Sequence, residues 1–312
     1  ILLRKKLINM SNFYSIDAPA KLNLNLFITG INNKGLHLLK SHICFLELKD
    51  KIFIKYNLND EFYQCSKDNS FLINPNNNLI LNAINLFREH TNWHKKFKIF
   101  LDKKIPIGAG LGGGSADAAA TLIILRNLYN RDNDTHNKIS RQLLFDLAIK
   151  LGSDVPACLK SRDLLLNGYG EKITHTKIPE NYYFLLINPY LHLSTKEVFN
   201  EYKSGIINEA LNPDIYFENI KIFNSLLNSA MSLASPISDI LLHLKNAPNI
   251  VASGMTGSGS TCFGIFKNVN EIKTFLKSFN QITNNSFFIW YGKKQNYCFN
   301  RVTISKVLEN KL

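Results

Sequence analysis

Residues 15–28 alternate polar and apolar positions, with Leu22, Leu24 and Leu26 on one parity and Lys21, Asn23 and Asn25 on the other. Successive side chains of a strand point to opposite faces, so this pattern predicts a strand that packs one face and leaves the other free for chemistry. A turn at Asn32-Asn33-Lys34-Gly35 leads to a second apolar stretch, His42 to Lys55, read as its antiparallel partner. The pattern then predicts a helix over 78–90 and a strand over Phe97 to Ile105. Further on, Ala118, Leu122, Leu125 and Tyr129 recur at helical spacing, and Ile123 and Leu128 add a second apolar side, which predicts a largely buried helix. Another short helix is expected over 141–151. From about Asp163 strands and helices alternate across 183–188, 195–203, 216–232, 236–245, 261–266 and 270–279. Strands are not regularly followed by helices at the start of the chain, so the order predicts an α+β fold rather than a doubly wound sheet. A domain boundary is placed near residue 168, giving two domains, 1–168 and 169–312.

Composition adds limits. A chain of 312 residues with 45% hydrophobic content is long enough for two packed domains and too apolar for disorder. The formal net charge of +13 raises the possibility of nucleic-acid binding. However, the basic residues occur singly or in pairs (Lys5-Lys6, Lys95-Lys96, Lys103-Lys104, Lys293-Lys294) with no long stripe interleaved with aromatics. A modest field favouring anionic small substrates is the reading adopted, with no nucleic-acid partner. The five cysteines (Cys44, Cys65, Cys158, Cys262, Cys298) are odd in number and form no C-x-x-C pair, which argues against zinc and against a disulfide framework. A reducing, cytoplasmic setting is expected. No apolar run approaches the ~18 residues of a membrane span, and the residues before Met10 are read as a start-site artefact.

Three segments carry chemistry. The first runs Pro106-Ile107-Gly108-Ala109-Gly110-Leu111-Gly112-Gly113-Gly114-Ser115-Ala116 and leads from a strand into the apolar helix. Glycine lets bare backbone N–H groups approach an oxyanion, and a helix start adds partial positive charge, so the segment reads as a phosphate cradle. It is not a Walker A loop, because no Gly-Lys-Ser/Thr closes it. Gly108, Gly110 and Gly113 fit G-x-G-x-x-G, but the dinucleotide version needs a second strand ending in an acid, and Asp132 and Asp134 follow the helix with no strand between. The second segment is Gly152-Ser153-Asp154-Val155-Pro156, where Ser153 or Asp154 could equally cap a helix with Pro156 in its first turn. Phosphoryl transfer needs a carboxylate to accept a proton and a cation to offset developing charge, roles that Asp154 and Lys21 can fill. The third segment, Ser253-Gly254-Met255-Thr256-Gly257-Ser258-Gly259-Ser260-Thr261, reads on its own as a glycine-rich turn before a strand.

Taken in order, the Ala18-Pro19-Ala20-Lys21-Leu22-Asn23-Leu24 strand, the P-x-G-x-G-L-G-G-G-S-A-D-A-A loop, L-G-S-D-V-P and the late T-G-S-G-S resemble the GHMP small-molecule kinases. The first and third pieces are most similar to the branch acting on a cytidine diphosphate-linked methylerythritol in the non-mevalonate route to isoprenoid precursors. The resemblance implies a ribosomal protein S5 domain 2-like N-terminal domain, an α+β C-terminal domain and an active site between them. It implies Asp154 as general base with Lys21 as its charge partner, ATP phosphates over Gly108 to Ser115 and Ala116, and Mg²⁺ accompanying the nucleotide with no protein ligand assigned. Asn78 would lie in the adenine pocket. Asn23, His37, Thr195, Phe199, Thr256 and Gly257 would contact the acceptor, His37 by stacking on the cytosine. The family usually carries an aromatic residue before this histidine, and here the pair is Leu36-His37, so part of the clamp is expected to be lost or supplied elsewhere. Other acceptors, such as homoserine or mevalonate, and an inactive nucleotide sensor are the alternatives.

Overall fold

The computed structural model describes residues 10–33, 35–66, 78–133, 138–202, 215–282, 287–295 and 302–308. Lys34, Asp134 and Cys298 lie outside the described residues, as do the residues before Met10.

The sheet that organises the first half is built around β3 (His37–Tyr56), which pairs antiparallel with β1 (Met10–Asn23), β2 (Asn25–Ile31), β5 (Phe97–Lys103) and β6 (Leu164–Gly168). β4 (Glu61–Ser66) extends β5 in parallel, and β7 (Lys172–His175) extends β6. Later strands return to the same sheet: β14 (Thr303–Leu308) lies on β1, and β10 (Ile220–Asn224), itself paired with β9 (Ile215–Phe217), lies on β2. The smaller sheet is antiparallel in the order β11 (Ala252–Met255), β12 (Cys262–Phe266), β8 (Tyr183–Asn188), β13 (Phe288–Gly292). The α+β expectation holds, with helices segregated onto the outer faces of two sheets.

Three cores follow from that layering. One lies between the large sheet and α1 (Leu79–Thr91), α2 (Gly113–Asp132), α3 (Arg141–Leu151) and α4 (Val155–Lys160). A second packs α5 (Thr195–Glu201), α6 (Leu227–Leu233), α7 (Pro236–Lys245) and α8 (Val269–Ile282) on the small sheet. A third joins the sheets face to face, with Leu22, Leu24, Cys44 and Leu46 against Phe184, Leu186 and Phe263. As expected, α2 is largely buried: Ala118, Leu122, Ile123, Leu125 and Leu128 are buried, and Tyr129 is half-buried.

The first predicted strand proves to be two. β1 and β2 are separated at Leu24, and the pairing of β1 with β3 shifts register between Pro19 and Lys21. Ile16 and Ala18 belong to the core under the helices, whereas Ala20, Leu22 and Leu24 belong to the core between the sheets. The irregularity therefore exchanges the faces of the strand, a usual consequence of a bulge. Lys21 and Asn23 are consequently on the helical side, largely buried but lining a cleft, while Asn25 is bonded to His42 and to Lys221 O. The 216–232 stretch, read as one element, resolves into β9, β10 and α6, with Glu218 at φ 54° making the hairpin turn. β4, β6, β7, β11, β13 and β14 are short, mixed-burial strands that periodicity did not single out. Among the described residues no helix is long and apolar enough to cross a membrane.

The inter-sheet core gives a direct test. Phe263 is fully buried there, so Phe263→Ala should destabilise the chain by about 3–5 kcal/mol, read as a lowered urea midpoint.

Candidate active site

A cleft of about 1110 Å³ opens between the two layers. Its floor is the glycine segment between β5 and α2. Gly108 and Gly110 sit at φ +65° and +72°, in the left-handed region that glycine enters without strain. Gly110 also faces the late loop backbone to backbone: a Cβ there would lie 2.5 Å from Thr256 O and 2.7 Å from Gly259 O. Gly257 answers from the other side, where a Cβ would lie 2.8 Å from Gly110 O. The two glycine-rich segments thus interlock, and the N-terminal turn of α2, with its unpaired N–H groups, opens onto the cleft.

Lys21 and Asp154 meet at this floor. The Lys21 backbone N–H donates to Leu111 O at 2.9 Å, and its Nζ donates to Asp154 Oδ2 at 2.7 Å. The lysine side chain is 5% exposed and the carboxylate 36%, so the pair presents its acidic member to the cleft. Asp154 directly precedes α4, with Pro156 in the first turn, yet its side chain makes no capping bond. The helix-cap alternative for Asp154 is therefore not the use made of it.

The remaining candidates divide. Asn23, His37, Asn78, Pro106, Leu111, Gly112, Gly113, Gly114, Ser115, Thr195, Phe199 and Gly257 all line the cleft. Thr256 does not: it is fully buried, its Oγ1 accepting from Asn23 N–H at 2.9 Å and donating to Gly110 O at 3.4 Å. It joins β1 to the glycine segment from behind. Ala116 is also withdrawn, its side chain in the core and its N–H donating to Gly112 O at 2.9 Å. Asn78 uses its Oδ1 to cap α1, accepting from Ile80 N–H at 2.9 Å. Asn23 donates through Nδ2 to Ser41 Oγ at 2.8 Å, while its buried Oδ1 has no partner among the described residues.

At the opposite end of the cleft the His37 ring lies 4.8 Å from that of Phe199 and 6.0 Å from that of Tyr202. Leu36 also lines the cleft and is nearly half exposed. The aromatic neighbours of His37 thus come from α5 and the residue after it, not from the preceding position. Thr195 Oγ1 lies 3.1 Å from Ser258 Oγ, tying α5 to the late loop.

Sequence reasoning passed over a buried charge cluster. Lys103 Nζ donates to Asp50 Oδ2 and to Asp117 Oδ2, both at 2.6 Å, and Asp50 Oδ1 also accepts from Lys104 N–H at 2.6 Å and Ile105 N–H at 2.8 Å. A methyl on Gly113 would come within 3.1 Å of Lys103 Nζ, so the cluster sits directly beneath the start of α2. Burial pushes the Asp117 carboxyl up to about 7, against the pull of Lys103. The available signal was an aspartate at the head of the apolar run Ala116 to Leu125 of a helix expected to be largely buried. Tyr202 and Asn224 were also missed. Asn224 fixes the late loop by donating to Met255 O at 2.8 Å and Gly257 O at 2.9 Å.

Residues 78–162 match the family model described as GHMP kinases N terminal domain. Over 277 residues the chain is 35% identical to the 4-diphosphocytidyl-2-C-methyl-D-erythritol kinase of Ehrlichia canis, covering 85% of this chain and 94% of that protein. It belongs to the 4-diphosphocytidyl-2-C-methyl-D-erythritol kinase family. The protein of the same name from Clostridium botulinum is 34% identical over 259 residues, 80% of this chain and 89% of its own. A crystal structure of 4-(cytidine 5'-diphospho)-2C-methyl-D-erythritol kinase superposes with a TM-score of 0.70 at 26% identity, covering 91% of this chain and all of that one. Homoserine kinase from Cytophaga hutchinsonii shares the fold, with a TM-score of 0.62 at 15% identity over 98% of this chain and 100% of its own. The GHMP resemblance read from the four motifs is borne out.

Two outcomes are expected from this geometry. Gly110→Ala should separate the two glycine segments and lower the thermal midpoint by several degrees, because both the backbone angle and the Thr256 carbonyl exclude a side chain. For Asp117, the folded carboxyl holds its proton to about pH 7 whereas an unfolded one releases it near 4. Between those values the folded state binds more protons, so this group's contribution is present below pH 4 and lost as pH rises through 7. Unfolding free energy measured from pH 4 to 8 should therefore fall more steeply in the parent than in Asp117→Asn.

Proposed function

We propose that this chain transfers the γ-phosphate of ATP to the 2-hydroxyl of 4-diphosphocytidyl-2-C-methyl-D-erythritol, a step of the non-mevalonate route to isoprenoid precursors. The observation that carries the reading is the Lys21–Asp154 pair, held at 2.7 Å on the wall of a cleft floored by the glycine segment. A site for nucleotide phosphates alone would need neither member of that pair.

The nucleotide phosphates lie over Gly108 to Ser115, where backbone N–H groups and the start of α2 favour negative charge. The acceptor hydroxyl approaches Asp154, which takes its proton as the oxygen attacks the γ-phosphorus in line. Lys21 offsets charge on the transferring group and, through its bond to Asp154, fixes the direction of the carboxylate. Asn23 Oδ1, buried without a partner among the described residues, is an acceptor ready for a donor of the acceptor substrate. His37, Phe199 and Tyr202 offer an aromatic seat for the cytosine, which replaces the aromatic residue missing at Leu36.

Among the described residues no group of three or more His, Cys, Asp or Glu could hold a metal. Mg²⁺ in phosphoryl transfer commonly takes only one or two carboxylates, with the nucleotide's own oxygens and water completing the shell. The Ser115 hydroxyl, on the cleft wall at the start of α2, fits that need and leaves Asp154 to act as the base. When bound, Mg²⁺ would supply charge neutralisation at the phosphates. The reducing cytoplasm is the compartment this reading assigns, supported by the free cysteines Cys44, Cys65, Cys158 and Cys262.

A coupled ADP-release assay with ATP, Mg²⁺ and 4-diphosphocytidyl-2-C-methyl-D-erythritol should show turnover, and homoserine or mevalonate in its place should not. Turnover with either of those, or with none, would overturn the assignment. In the same assay Asp154→Asn should lower kcat by roughly 10²–10⁴-fold with ATP affinity retained. Phe199→Ala should raise KM for the acceptor roughly tenfold and leave KM for ATP unchanged.

A further inference from the structure

The segment joining β8 to α5 carries a histidine to which the mechanism gives no role. This segment is pinned from both ends. Asn188 Oδ1 accepts from Tyr190 N–H at 2.8 Å, and its Nδ2 donates to Thr261 Oγ1 at 2.9 Å. Ser260 Oγ donates to Leu191 O at 2.5 Å. On the far side Leu193 is buried in the core of the small sheet, and Ser194 caps α5. Between these anchors the exposed ring of His192 is laid directly over Gly108: a Cβ on that glycine would fall 1.7 Å from His192 Nδ1 and 2.3 Å from Cε1. Both residues line the cleft, and so do Thr195 and Phe199 just beyond. Among the described residues neither nitrogen of the His192 ring has a hydrogen-bond partner.

The surroundings say what such a ring can hold. Of the lysines that line the cleft, Lys21 and Lys103 are buried and paired, with Asp154 and with Asp50 and Asp117, while Lys196 on α5 is exposed a turn beyond His192. An imidazole carried on this pinned segment, over Gly108 and short of Thr195 and Phe199, is placed to add a hydrogen bond to a phosphoryl oxygen.

We propose that His192 binds phosphoryl oxygens in the cleft, from either the nucleotide triphosphate or the diphosphate of the acceptor. The proposal rests on the kinase reading given under Proposed function, and its test reads binding without turnover. The Mg²⁺ complexes of the ATP analogue AMP-PNP and of cytidine diphosphate are titrated calorimetrically into the full chain and into His192→Gln and His192→Phe. His192→Phe, which fills the space over Gly108 without a donor, should bind one of the probes roughly tenfold more weakly than the parent. His192→Gln, which keeps a side-chain donor, should retain most of the parent's affinity for that probe. An effect confined to AMP-PNP assigns the contact to the donor nucleotide, and one confined to cytidine diphosphate assigns it to the acceptor. Parent-like binding of both probes by His192→Phe would reduce the ring to a spacer and overturn the proposal. A chain that binds both probes yet fails to phosphorylate the methylerythritol acceptor would sink the kinase reading alone.

Discussion

The exchange of faces in β1 between Pro19 and Lys21 is the constraint on which the cleft depends. Upstream, alternate residues feed the core beneath the helices; downstream, the same parity feeds the core between the sheets. Lys21 and Asn23 are thereby delivered to the helical side, where α4 begins and Asp154 stands. A regular strand would have turned both away from it. Burying an ammonium is costly unless a carboxylate and a fixed environment receive it, and the Asp154 contact with the Lys21 N–H to Leu111 O bond provides both.

The glycine segments acquire their meaning from one another. At Gly110 in one and Gly257 in the other a side chain would strike the backbone of the opposite segment, so the two are packed main chain to main chain. Thr256 closes the assembly by bonding to β1 on one side and to Gly110 on the other. The phosphate floor is therefore rigid by contact between distant parts of the chain, which suits a reaction governed by positioning and electrostatics.

Beneath that floor two carboxylates share one lysine. Asp50 spends its other oxygen on the backbone leading out of β5, and Asp117 anchors the first turns of α2, so Lys103 locks both ends of the glycine segment to β3. The arrangement is expensive to bury and replaceable in principle by apolar residues, which suits it to holding a conformation rather than adding stability. Its raised Asp117 carboxyl is the sign of that expense.

The sequence by itself determined the elements and the chemistry. Helices at 78–90, 141–151 and 236–245 were legible because one face of each must be apolar, and α2 and the strand at 183–188 because both are largely buried, the strand on its two faces. Asp154, Lys21 and the Gly108 to Ser115 run were legible because few residue types can accept a proton, offset charge or bare a backbone amide. Only the tertiary structure decided which of them meet. The face exchange in β1 leaves no mark on a period of two, so the sequence pattern could not show that Lys21 and Asn23 turn toward α4. Thr256 and Ala116 were placed with the ligand contacts but are turned into packing, and Tyr202 supplies a ring beside His37 that Leu36 could not. Lys103 reads as one of a pair of surface charges until Asp50 and Asp117, 53 and 14 residues away along the chain, close around it. Periodicity and motif spacing record what is local; ion pairs and backbone contacts between remote segments are fixed only when the sheets pack.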